Sequence, residues 1–131
     1  MAYNTIAELI ERYTTKEITE LSSSINGEMD ESVVAQAIED ADAEIDIYLN
    51  AKYDTPIAEP IPGIIKKLSA VIAYLNLNHR RNIWSEELQS LRGWCDKQLK
   101  NLSNGTIVPD IAGNDNGTGS VLIESEELRG W

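Results

Sequence analysis

One stretch limits the possible folds more than any other: Ile61 to Arg81, IPGIIKKLSAVIAYLNLNHRR. Ile61, Ile64, Ile65, Leu68, Val71, Ile72 and Leu75 recur at the spacing of one helical face. Ala70, Ala73, Tyr74 and Leu77 carry apolar character around most of the remaining circumference. A helix that is apolar nearly all round has to be buried. It is too short for a membrane span. Lys66–Lys67 and His79–Arg80–Arg81 bracket an apolar run about half the ~20 residues that a bilayer requires. The stretch therefore predicts the central helix of a soluble helical domain, with other helices laid against it. Pro60 and Pro62 stand at its entry, where a missing N–H does no harm. The basic residues at its far end suit the negative pole of the helix dipole.

The chain has 131 residues, room for one ordinary domain with a real core. It has no Phe, so that core rests on Ile, Leu, Val and Ala, with five Tyr and three Trp at special places. The net charge of −11 argues against binding nucleic acid by bulk attraction. The charge is also uneven. Residues 1–60 hold three basic and fourteen acidic residues, residues 61–104 seven and three, and residues 105–131 one and five. The acidic half is read either as a solvated face or as a surface that meets a basic surface on a neighbouring copy. A single cysteine, Cys95, precludes an intramolecular disulfide, and no signal peptide is visible, so a reducing cytoplasm is expected.

Cap signals divide the rest. Thr5 with Glu8 three residues on is a capping box for a short helix to Tyr13, with Ile6, Leu9 and Ile10 inward. Thr14 with Glu17 opens a second short helix that buries Ile18 and Leu21. Ser22 to Gly27 reads as a polar loop. Asp30 caps the longest predicted helix, which runs to Tyr53 with Val34, Ile38, Ala41, Ile45, Tyr48 and Leu49 buried. Its acids Glu39, Asp42 and Asp46 share another face, with Asp40 and Glu44 nearby. Like charges at that spacing oppose helix formation, most simply offset by a basic partner surface. Asp54 to Pro60 is a short link. Ser85 caps a third long helix with the seam Leu88, Leu91, Cys95, Leu99 and Leu102, ended by Gly105. Gly93 lies inside it, and close contact with another backbone or room for Trp94 would explain it.

The expected fold class is thus all-α: a small bundle of three long helices plus two short N-terminal helices, with an extended C-terminal arm. Residues 1–105 form the helical domain and residues 106–131 the glycine-containing arm. Val121, Leu122 and Ile123, with Leu128 and Trp131, make that arm a candidate docking segment. The strings Ser85–Leu88 and Leu91–Trp94 are echoed in the final SEELRGW, and chance explains so short an echo.

Candidate chemistry is thin. Asp40, Asp42, Glu44 and Asp46 alternate like the start of a calcium loop, but Ile45 stands where that loop needs glycine. Asn114 to Gly119 aligns with such a loop only with Ser125 in place of its closing Glu. His79 is the sole histidine, at a helix end, and Cys95 falls on an apolar seam as a buried thiol. No catalytic triad, zinc pattern or phosphate loop can be assembled. No metal, cofactor or enzymatic activity is expected.

One pattern is familiar. Ala41-x-x-x-Ile45-Asp46-x-Tyr48-Leu49-x-x-x-Tyr53-x-x-Pro56, followed by Pro62 and Leu68-x-x-x-Ile72-Ala73-Tyr74-Leu75, resembles the small neck proteins of Mu-type tailed phages and prophages. These are similar to head–tail connector proteins of other long-tailed phages. Tyr3-x-Thr5-x-x-x-Leu9-x-x-x-Tyr13 resembles the family's opening, with Arg12 beside its last position, and Leu128–Trp131 resembles its ending. The resemblance implies a helical subunit of a ring between portal and tail. The ring's partners would be other copies of itself, the portal protein and a tail-completion protein. DNA would pass without specific binding, and no membrane would be involved. The subunit would sit in the host cytoplasm during assembly and then in the virion neck. In that setting Glu39, Asp42 and Asp46 are the candidate acidic interface, and Lys66, Lys67, Arg80 and Arg81 its basic complements. The alternative is a small acidic bacterial adaptor or regulatory protein that binds a basic partner.

Overall fold

The computed structural model describes residues 3–23 and 27–109, and every regular element among them is helical. In chain order these are α1 (Ile6–Tyr13), α2 (Thr15–Ser22), α3 (Glu31–Leu49), α4 (Gly63–Arg80) and α5 (Glu86–Asn104). Local chemistry sets most of the boundaries. The Thr5–Glu8 capping box is complete, with Thr5 Oγ1 accepting from Glu8 N–H at 3.1 Å and Glu8 Oε1 accepting from Thr5 N–H at 3.0 Å. Thr14 and Ser85 cap α2 and α5 through their hydroxyls alone, which accept from the Glu17 and Leu88 N–H groups, and Asp30 takes the N–H groups of Ser32 and Val33. Gly105 closes α5 at φ 86°, a left-handed position that suits glycine.

Two boundaries differ from expectation. The central helix begins at Gly63, with Pro62 as N-cap, so Ile61 lies outside it yet stays buried. The preceding helix ends at Leu49, not Tyr53. Its final carbonyl, of Leu49, still accepts from Lys52 N–H at 2.9 Å and Tyr53 N–H at 2.8 Å, a tightened last turn that folds Tyr53 into the core.

The long helices stack around α4. It packs against α3 and α5 along its length and touches α1 and α2 as well. Ten of its residues are buried, including Ser69 and Asn78, which explains why its sequence is apolar nearly all round. Burying one large aliphatic side chain here is worth about 1.5–3 kcal/mol, and Ile65, Leu68 and Ile72 are fully covered. The expected stripe of α3 is buried at Val34, Ile38, Ala41, Ile45 and Leu49, with Tyr48 half-buried. That of α5 is buried at Leu88, Cys95, Leu99 and Leu102, with Leu91 half-buried. No helix among the described residues is long and apolar enough to cross a membrane.

Candidate functional site

The acidic and basic residues singled out in the sequence do not form two facing patches. Most are used inside the subunit. Asp42 is only 6% exposed, because α3 turns it towards α4 and the N-terminal segment. Its Oδ1 accepts from the Ser69 hydroxyl at 2.6 Å and its Oδ2 from the Tyr3 N–H at 2.8 Å. Burial pushes its carboxyl pKa up, against the two hydrogen bonds that favour the anion. Asp46, one turn on, accepts from the Tyr3 hydroxyl, which in turn accepts from the buried Ile57 N–H at 2.9 Å. Burial, then the bond to Asp46, raises the Tyr3 pKa well above its ordinary value. Of the candidate acidic residues, Asp42 is buried, Asp46 is half-buried, and Glu39 is exposed with Asp40 beside it. The like charges along α3 are offset by Tyr3 and Ser69 of the same chain.

Members of the basic set also make contacts within the subunit. Lys66 Nζ lies 2.7 Å from Glu8 Oε2, tying α4 to α1 and lowering the Glu8 pKa through that hydrogen bond. Such a pair, about a third exposed on both sides, is worth roughly 0–1 kcal/mol. Arg80 Nη1 donates to the Leu21 carbonyl at 3.3 Å, and Arg81 donates to the Glu20 carbonyl at 3.0 Å. These arginines thus serve the negative end of α2 as well as that of their own helix. Both remain exposed, as does Lys67, whose ammonium sits 4.8 Å from the centre of the Trp94 ring. The docking residues Val121, Leu122, Ile123, Leu128 and Trp131 lie outside the described residues.

Sequence reasoning missed three arrangements. Arg92 on α5 pairs with Glu44 on α3 and, at 3.1 Å, with Asp96. Tyr13 stacks on Tyr74 with ring centres 4.1 Å apart, and the Tyr74 hydroxyl donates to Glu17 at 2.5 Å. Burial pushes both tyrosines up to about 12. An open groove of about 650 Å³ runs between α4 and α5, floored by Val71, Leu91 and Trp94, with Lys67 on one wall and Glu86 and Glu87 on the other. The signal for the tyrosine pair was present in the sequence, but only the crossing of α1 over α4 brings the rings together.

Cys95 is fully buried and its thiol is pushed up to about 12 by burial, an unreactive state. Among the described residues no three His, Cys, Asp or Glu side chains converge on a metal-sized site. Gly93 also departs from expectation. A Cβ there would meet nothing within 4 Å, so neither a backbone nor Trp94 within the subunit requires glycine.

Large apolar side chains remain in solvent at Ile47 (72% exposed), Ile83, Trp84 and Val108. What the geometry offers is thus a rigid helical body with external surfaces, and relatives indicate its setting. The family model described as Bacteriophage Mu, Gp36 matches residues 3–121, which takes in all five helices. The chain belongs to the bacteriophage Mu Gp36 family. It is also similar to gene product J of Escherichia phage Mu, 27% identical over 132 residues, covering 96% of this chain and 92% of that protein. As a phage protein of the Mu Gp36 family, it shares with its relatives the length occupied by the α3–α4–α5 core and by the Tyr3 segment that latches on to it.

Proposed function

We propose that this Mu Gp36-family protein is a structural subunit of a phage or prophage head–tail connector, a ring that joins portal to tail and lets DNA pass. The observation that carries the reading is the family match across the whole helical domain. The chemistry of the subunit supports it. Several titratable groups hold helices together: Asp42 and Asp46 on Tyr3, Lys66 on Glu8, Arg92 on Glu44. The reading assigns no catalytic step. A net charge of −11 repels the DNA backbone, which suits a passage that must not hold its cargo. A contact between two different faces of one subunit generates a ring when its rotation closes. The partners of such a ring are further copies, the portal protein on one side and a tail-completion protein on the other.

The experiment is removal of the gene from an inducible prophage that carries it, with electron microscopy of the lysate. The expected result is DNA-filled heads and separate finished tails, restored to tailed particles by the gene in trans. Normal tailed particles without the protein would overturn the reading.

A further inference from the structure

Of the residues first suited to a subunit interface, Asp42, Asp46 and Lys66 are bonded within the chain, while Glu39 stays exposed and bonds only within its own helix among the described residues. Two helix faces are left unpartnered. On α3, Glu39, Asp40 and Ile47 are exposed, and Ile47 is the most exposed of the large apolar residues. On α5, Gly93, Lys97 and Lys100 are exposed, and neither lysine has an ion pair among the described residues. Among the described residues Glu39 and Asp40 bond only to Gln36 of their own helix. Each feature is costly or idle in an isolated subunit. Gly93 in mid-helix costs roughly 1 kcal/mol relative to Ala, and no contact within the subunit repays it.

The two faces complement each other in charge, shape and length. Asp40 lies seven residues before Ile47, and Lys100 seven residues after Gly93. At 1.5 Å per residue both separations are about 10.5 Å. Antiparallel helices would therefore seat Ile47 over the bare backbone at Gly93 and Asp40 opposite Lys100, with Glu39 one residue beyond Asp40 and Lys97 three residues, about 4.5 Å, before Lys100 along the same axis. Within one subunit α3 and α5 lie side by side, joined by Arg92 and Glu44, so their outer faces are different surfaces of the same body. Contact between them is possible only between copies.

From this complementarity we infer that the outer face of α3 on one copy docks on the outer face of α5 on the next, with Ile47 packed at Gly93, Asp40 paired with Lys100, and Glu39 and Lys97 adding to the same acidic-to-basic contact. The contact is heterologous and repeats from copy to copy. It rests on the ring reading, because it specifies how such a ring is stitched.

The test uses the full chain at high concentration in sedimentation equilibrium. The wild type should self-associate, and more weakly as salt rises from about 0.05 to 0.5 M. Lys97→Glu with Lys100→Glu should weaken association about tenfold or more, since like charges then face each other. Adding Glu39→Lys and Asp40→Lys should restore it. All four positions are exposed, and circular dichroism verifies folding. In a Cys95→Ser background, Ile47→Cys and Gly93→Cys proteins mixed together should form a heterodimeric disulfide under mild oxidation. A self-associating wild type whose assembly ignores the Lys97/Lys100 reversal overturns this contact and leaves the ring reading standing. A wild type that stays monomeric at every concentration, alone and with portal protein, overturns both.

Discussion

Replacing Tyr3 with Phe probes the contact that fastens the N-terminal segment to the bundle. The ring is almost fully buried, and Phe keeps that packing. What is lost is one hydroxyl with two jobs: it donates to the Asp46 carboxylate and accepts from the Ile57 N–H at 2.9 Å. A hydrogen bond to a charged group contributes about 1.5–3 kcal/mol, and a buried N–H left unpaired costs about 1–3 kcal/mol. Asp46 is half-buried and can recover a water, so the two losses do not add in full. The expected destabilisation is about 2–4 kcal/mol, a large share of the ~5–15 kcal/mol typical of a domain. At roughly 3–5 °C per kcal/mol for a chain of this size, Tm falls by about 6–20 °C. Urea unfolding followed by circular dichroism should show a lower midpoint at unchanged slope. The Ile57 amide should also exchange faster with solvent. A loss below about 0.5 kcal/mol with Ile57 protection intact would refute the assignment of Tyr3 as a latch.

The other predictions concern Asp42, Thr14 and Cys95. Burial raises the folded-state pKa of Asp42 above the ordinary 3.8, so the folded state holds its proton longer than the unfolded chain does. Its charged form therefore costs stability. That cost is absent below 3.8 and grows as pH rises through the folded value, and Asp42→Asn should flatten this part of a stability–pH curve. The Asn can still accept from Tyr3 and donate to Ser69, so stability near pH 7 should change by no more than about 1 kcal/mol. Thr14 sits at φ 79°, ψ 150°, a region that costs a non-glycine residue about 1–3 kcal/mol, while its hydroxyl caps α2. Thr14→Gly should be neutral or stabilising, and Thr14→Ala should lower Tm, since it loses the cap and keeps the strain; equal effects of the two would contradict this account. Cys95 should resist a maleimide reagent in the native protein and react at once in urea, and fast native labelling would show that α5 opens.

Much of the fold was legible because it is written in local chemistry. A capping box at Thr5 and Glu8 involves residues three apart and needs no knowledge of the rest of the chain. The same holds for the caps at Thr14, Asp30 and Ser85 and for Gly105. The end of α3 was misjudged because the helical pattern runs on to Tyr53, whose ring follows the core through an irregular turn. The charged residues were harder. Asp42 and Asp46 looked like a solvent face because of their charge, although helical periodicity puts Asp42 at the edge of the apolar stripe, four residues after Ile38 and three before Ile45. Periodicity cannot show that Tyr3, 39 residues away from Asp42 in sequence, returns to fill their hydrogen bonds.

The amino-acid order alone determined an all-helical chain with a buried middle rod, since amphipathic spacing and end caps act over one or two turns. Which charges face outward was decided only by tertiary packing. A carboxylate moves to the inside when donors from distant segments replace the water it gives up, and no local pattern records where those donors arrive. Lys66, Arg80 and Arg81 likewise met acceptors on α1 and α2 without leaving solvent, while Glu39, Asp40, Lys97 and Lys100 have no such partner on another helix among the described residues.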